Sequence, residues 1–188
     1  MSQRRRELLD AAYAYVLEHG LADLSLRPLA AATTTSPRVL LYLFGSKHQL
    51  VKEILAQVRR DELALVETAT AEATERDTDR FEYLIRQLWQ WLTETPRQPA
   101  IRLFFEAYAL SLRAVIAPDQ AVAGPWDGFA KQSIQDWTDI LIAAQPDAGQ
   151  HEATVRATRT LGLLRGLLLQ WLAGGDHDLL TEALLGSR

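Results

Sequence analysis

The side chains best suited to recognition chemistry lie close together in TTTSPRVLLYLFGSK, Thr33 to Lys47. At helical spacing this run divides into two faces: Leu40, Leu43 and Phe44 on one, and Pro37, Arg38, Val39 and Tyr42 on the other. The first suits packing. The second carries donors and small apolar surfaces of the kind that read base edges in a DNA groove. Arg38 can bond guanine O6 and N7 together, a contact that contributes about 1–3 kcal/mol of discrimination. Pro37 and Val39 can touch thymine methyls, and Tyr42 can donate its hydroxyl to a phosphate. Ser25 and Ser36, at helix starts, offer hydroxyls and backbone N–H groups to phosphates, which positions without specifying. Lys47 adds a full charge at the start of the next helix, and Arg27 points along the same side.

Other chemistries find little support. The chain has no cysteine, which excludes a disulfide scaffold, a thiolate zinc site and a cysteine nucleophile, and fits a reducing cytoplasm. The histidines (His19, His48, His151, His177) are scattered, and none follows a glutamate by three residues, so di-iron spacing is missing. There is no Gly-rich phosphate loop and no nucleophile elbow. The expectation is a non-enzyme with no cofactor and no metal.

Net charge is −4, yet it is unevenly spread. Residues 1–60 carry nine Arg/Lys against five Asp/Glu, and residues 61–188 carry eleven against nineteen. A basic head on an acidic body is the asymmetry expected when one small part meets phosphates. A membrane role is not expected. The longest apolar run, TLGLLRGLLLQWLAGG, is short and broken by Arg165, and Glu7, Asp10 and Glu18 mark the first segment as an amphipathic helix rather than a leader.

The elements that must position these residues all read as helices. No hairpin turn and no sustained alternation marks a strand. The first helix runs from about Gln3 to His19, with Leu9, Ala12 and Val16 on one face and Gly20 as its stop. Ser25 can cap a second, Leu26 to Ala32, and Thr35 or Ser36 a third that has Pro37 near its first position and ends near Phe44 at Gly45. Ser46 caps a long fourth, and Gln49 completes a capping-box pattern. Asp79 opens a fifth, closed by Pro96. A sixth follows Pro99 and is closed by Pro118. Gly124-Pro125 open a seventh that ends before Pro146. Asp147 can cap an eighth, about Ala148 to Ala173, and a ninth spans Asp178 to Leu185. The fold class is therefore all-α with about nine helices. A helix-turn-helix head over residues 1–47 is joined by a long helix to a body over residues 48–188.

The body is rich in large aromatics. In the fifth helix Phe81, Leu84, Ile85, Leu88 and Leu92 make one stripe, with Trp89 and Trp91 partly off it. Aromatics at such spacing are usually plain core. Where some line an apolar ligand cavity instead, Trp89, Phe105, Tyr108 and Phe129 are the candidates, and few charges near them favour a neutral or hydrophobic ligand. Arg102 and Glu106 read as solvated. The eighth helix is apolar over much of its girth, with a stripe of Leu161, Leu164, Leu168 and Trp171 widened by Leu163, Gly166 and Leu167. It needs covering on two sides. With Leu180 and Leu184 of the ninth helix it can pair with a second copy as a four-helix interface.

Residues 4–55 also resemble a known family. LLDAA in the first helix, EHG at its end, Ser25, Leu29-Ala30, Ser36, LLYLFGSK and Leu50 look like the DNA-binding region of the TetR family of bacterial transcriptional regulators. Two departures stand out. The family's usual Ala-Gly-Val turn is replaced by Thr33, Thr34 and Thr35, and loss of that glycine is expected to strain or reshape the turn. Leu41 takes the place of the family's tyrosine, Tyr42 comes one residue later, and Leu43 replaces a histidine whose phosphate contact is then missing. The resemblance implies a cytoplasmic, homodimeric, ligand-responsive regulator, a repressor, that binds a near-palindromic double-stranded operator. The alternative from a different class is a dimeric small-molecule-binding or scaffold protein whose head no longer binds DNA, which the threonine turn keeps open.

Overall fold

A computed structural model describes residues 2–22, 24–72, 80–116 and 124–186. Among the described residues there are nine α-helices and no strand. They are α1 (Gln3–His19), α2 (Leu26–Ala32), α3 (Pro37–Phe44), α4 (Lys47–Glu72), α5 (Arg80–Leu92), α6 (Gln98–Ile116), α7 (Phe129–Ala143), α8 (Gln150–Leu172) and α9 (His177–Leu185). A short 3-10 turn, Thr95–Arg97, precedes α6. Asp79 and Pro118, expected as helix boundaries, lie outside the described residues.

The chain forms two compact units, each drawn from two stretches of sequence: Met1–Asp61 with Pro99–Lys131, and Glu62–Gln98 with Gln132–Arg188. In the first, Leu8, Leu9, Ala12 and Val16 of α1 share a core with Leu29 and Ala30 of α2 and with Leu40 and Phe44 of α3. Leu50, Val51, Ile54, Leu55 and Val58 of α4 close it from below, and Leu103, Phe104 and Ala107 of α6 join it. Each such Leu, Ile, Val or Phe taken out of water contributes about 1.5–3 kcal/mol. This burial holds short helices that would be marginal alone.

In the second unit the apolar stripe of α5 is buried as its spacing predicts, and Trp89 is buried with it. Trp89 donates from Nε1 to Thr181 Oγ1 of α9 at 2.7 Å, so its one polar atom is satisfied. Nearby, Thr93 Oγ1 lies 2.9 Å from His177 Nε2 and donates to the Trp89 carbonyl at 2.8 Å, so the imidazole must be the donor to Thr93. In α8, Ala153, Ala157, Leu161, Leu164, Leu167 and Leu168 turn inward. Arg165 is anchored by donation to the buried Ser133 hydroxyl of α7 at 2.9 Å.

Several local expectations need correction. α7 begins at Phe129, not at Gly124-Pro125. The Gly-Pro pair lies in a turn in which Asp127 Oδ2 accepts from the Gly124 N–H at 3.0 Å, a bond that competes with helix start. α8 is capped by Gly149 rather than Asp147. Asp176 caps α9 by accepting from the Leu179 N–H at 2.9 Å. At α4 the Ser46 half of the capping box forms, with Gln49 N–H donating to its hydroxyl at 3.0 Å, but the Gln49 amide reaches Glu53 at 3.4 Å.

Candidate nucleic-acid interface

α3 is built to present one side. Ser36 at its N-cap accepts from the Val39 N–H at 3.2 Å, and Pro37 occupies the first turn, where its missing donor costs nothing. Gly45 ends it, with its N–H returning to the Leu41 carbonyl at 2.8 Å. Leu40 and Phe44 are buried and Leu43 is half-buried. The opposite side carries Arg38, Val39, Leu41 and Tyr42, all exposed, with Tyr42 86% exposed. Arg38, Leu41 and Tyr42 stand at i, i+3 and i+4 and so share one face.

The remaining candidates take less uniform positions. Ser25, Arg27, Ser36 and Lys47 are exposed, and Pro37 is half-buried. Ser25 is the N-cap of α2, but its hydroxyl makes no capping bond. Leu41 was missed by sequence reasoning, although its distance of three residues from Arg38 places it on the outward side.

The turn between α2 and α3 closes despite its three threonines. Thr35 N–H reaches the Ala30 carbonyl at 2.8 Å and Thr34 N–H the Ala31 carbonyl at 3.2 Å, the paired bonds of a Schellman ending. Thr34 pays for this with φ 51, a left-handed conformation that a β-branched residue rarely adopts. The expected strain therefore sits on one residue. Thr33 is buried and donates its hydroxyl to the Leu29 carbonyl at 2.8 Å, which ties the turn to α2.

A second support was not legible in the sequence. Glu106 of α6, expected to be solvated, accepts at Oε1 from the N–H groups of Leu21 at 2.9 Å and Ala22 at 2.6 Å. These follow Gly20, which adopts φ 80, and a Cβ on Gly20 would lie 3.0 Å from Glu106 Oε2. The positive φ favours glycine there.

The four ligand candidates divide between the units. Phe105, Tyr108 and Phe129 belong to the first, with Phe129 buried and the other two half-buried. Phe104 links this aromatic group, at ring-centroid distances of 5.2 Å to Phe105, 5.8 Å to Tyr108 and 5.7 Å to Phe129. Trp89 belongs to the second unit and is stacked near His177 at 6.0 Å. Open grooves occur among the described residues of the second unit. One of about 830 Å³ runs along His151, Val155, Arg159 and Leu163 of α8, and one of about 460 Å³ lies between α5 and α9. Neither is lined by the four aromatic candidates.

Of the six candidate pairing residues, Leu161, Leu164, Leu168 and Leu180 are buried within the chain itself, and Trp171 and Leu184 are half-buried. The exposed apolar positions on these helices are Val155, Leu163 and Leu169 of α8 and Leu179 of α9. Gly162 and Gly166 are also exposed, and a Cβ on either would meet nothing within 4 Å.

Among the described residues, no helix is long and apolar enough to cross a membrane. No group of three or more His, Cys, Asp or Glu among them could hold a metal ion.

Comparison with known proteins bears on the head first. Residues 8–54 match the family described as bacterial regulatory proteins, tetR family. No curated protein matches the chain. Among solved structures, a TetR transcriptional regulator from Legionella pneumophila superposes with a TM-score of 0.73 at 16% identity, over 98% of this chain and 95% of the other. A transcriptional regulator from Rhodococcus sp. Rha1 gives 0.71 at 20% identity, over 96% and 91%. The multidrug binding protein EbrR, complexed with imidazole, gives 0.67 at 25% identity, over 98% and 89%. Those likenesses extend along nearly the whole chain, and the head carries the family's own pattern. Through residues 8–54 the head matches the family of bacterial regulatory proteins, tetR family, and nearly the whole chain has the fold of the transcriptional regulators above.

Proposed function

We propose that this protein is a ligand-responsive repressor that binds a near-palindromic operator as a homodimer in the cytoplasm. The head, residues 1–47, reads DNA, and the body, residues 48–188, binds an effector and pairs the two copies. One observation carries the reading: a capped eight-residue helix turns Arg38, Val39, Leu41 and Tyr42 outward above a closed core. Arg38 would read a guanine, and Pro37, Val39 and Leu41 would meet thymine methyls. Tyr42, Ser25, Arg27, Ser36 and Lys47 would hold phosphates. The closed α2–α3 turn supports this over a head that has lost DNA binding.

Pairing is proposed through the exposed side of α8 and α9, at Val155, Gly162, Leu163, Gly166, Leu169 and Leu179. The buried stripe of Leu161, Leu164, Leu168 and Leu180 holds those helices in place, and Trp171 and Leu184 form the rim. Two heads would then enter major grooves about one helical turn or more apart. The effector is proposed to be neutral or hydrophobic and to lie against Phe105, Tyr108 and Phe129 of the first unit; Trp89, in the second unit, is a separate candidate. EbrR, similar in fold, was solved with imidazole and with proflavin. An effector can shift DNA affinity only by its differential affinity for the two conformers.

Selecting bound fragments from a random DNA pool with the full-length protein tests the reading. A recovered inverted repeat is the expected result. Recovery of no sequence would overturn it.

A further inference from the structure

The C-terminal end of α3 is held by a residue from the far end of the head. Arg5, in the first turn of α1, donates from Nε to the Leu43 carbonyl at 3.0 Å and from its terminal nitrogen to Glu53 Oε1 of α4. Its guanidinium carbon also lies 4.8 Å from the centre of the Phe44 ring. The Arg5 and Glu53 side chains are 24% and 19% exposed, so the pair is largely withdrawn from water. Leu43 is the next-to-last residue of α3, and its carbonyl has no partner inside the helix. A cation there also meets the negative end of the helix dipole.

α3 has eight residues, about 12 Å of helix, so a few anchors decide its tilt and rotation. Ser36 fixes the first end and Leu40 and Phe44 the underside. Arg5 fixes the last turn, three helices meeting at one guanidinium. The outward residues Arg38 and Tyr42 ride on that rotation. Paired hydrogen bonds to a base are steeply angle-dependent, so a small turn of the axis weakens reading before it weakens charge attraction.

We propose that Arg5 is a positioning residue for sequence recognition: it sets the orientation of α3 without touching DNA. The proposal rests on the reading of α3 as the DNA-reading helix. Its chemistry is specific to arginine. The planar fork serves a carbonyl and a carboxylate at once while lying over a ring, which the point charge of lysine cannot reproduce. The alternative role, a phosphate contact, is opposed by Glu53, which already engages the charge.

The test uses full-length Arg5→Met, Arg5→Lys and Glu53→Gln, with the fragment selected by the wild type and a scrambled fragment, across a salt series. Arg5→Met keeps the apolar stem over Phe44. It is expected to lower preference for the selected fragment about tenfold, the scale of one misplaced paired contact. Affinity for scrambled DNA and the salt slope stay at wild-type values. Arg5→Lys recovers less than half of the loss, and Glu53→Gln shifts preference in the same direction. Adding Glu53→Gln to Arg5→Met costs less than the two separate losses multiplied. Where Arg5→Met fails to fold by circular dichroism, the lysine and Glu53→Gln variants carry the same comparison.

Wild-type preference in the folded variants would overturn the proposal. An equal loss on both fragments with a salt slope shallower by about one would also overturn it, by making Arg5 a phosphate contact. If the wild type selects no sequence, the DNA reading fails and this proposal with it. If the wild type selects one and Arg5→Met discriminates as well, only the clasp fails.

Discussion

Glu106 holds Leu21: its carboxylate accepts the Leu21 N–H at 2.9 Å and the Ala22 N–H at 2.6 Å, across more than eighty residues of sequence. The loop between α1 and α2 thereby gains a partner for two backbone donors. A Cβ on Gly20, whose φ is 80, would lie 3.0 Å from the same carboxylate. Glu106 is flanked in α6 by Phe105 and Tyr108, two of the proposed effector contacts, so the helix that carries them also carries this hold on the head's loop.

Removing that carboxylate should loosen the loop. Hydrogen bonds to a charged acceptor contribute about 1.5–3 kcal/mol each when well buried, and Glu106 is only half-buried. Glu106→Ala is expected to cost about 1–2 kcal/mol of unfolding free energy, read from a denaturant titration. Glu106→Gln keeps an acceptor without its charge and should cost less than half of that. An alanine variant as stable as the wild type would show that water replaces the carboxylate at no loss.

Relief is expected at Thr34, whose φ of 51 is unfavourable for a β-branched residue by about 1–2 kcal/mol. Thr34→Asn accepts that conformation without the extra unfolded-state freedom of glycine, and should raise stability by about 0.5–1 kcal/mol. Thr34→Gly should gain less. Thermal denaturation of the two variants checks the order, and Thr34→Val, still branched, should gain nothing.

What could be read from the sequence follows from how local each cause is. The ends of α1, α2 and α3 were legible because Gly20, Ser36-Pro37 and Gly45 act on their immediate neighbours. The start of α7 was not, because Gly-Pro opens a turn as readily as a helix, and Asp127 decided between them. The outward face of α3 was legible in Arg38 and Tyr42, but Leu41 was hidden by its apolar character. In α8 the apolar girth was plain. Which arc meets the chain's own core was not, since leucines occupy both. Arg5 and Glu106 make contacts set only by tertiary folding, and composition carries no trace of them.

Arg38 and Lys47 are expected to fail differently when cut to alanine. Arg38→Ala should lose about 1–3 kcal/mol of preference for the cognate sequence and leave scrambled DNA bound as before. Lys47→Ala should weaken every sequence alike and reduce the salt slope by about one. A salt titration on both fragments separates the two, and identical behaviour of the variants would discard this division of roles.

Pairing gives the last contrast, between the two sides of α8. Leu163 and Leu169 are 43% and 50% exposed, beside glycines with open space above them. Leu164, one residue from Leu163, is 2% exposed and belongs to the chain's own core. Leu163→Glu and Leu169→Glu place a charge where a second copy would desolvate it, a cost of several kcal/mol for an unpaired ion. Light scattering should then report one chain instead of two, with helical content unchanged. Leu164→Ala instead opens a cavity and should cost about 2–5 kcal/mol of stability while leaving the mass at two chains. If the glutamate variants keep the wild-type mass, the pairing surface lies elsewhere on the molecule.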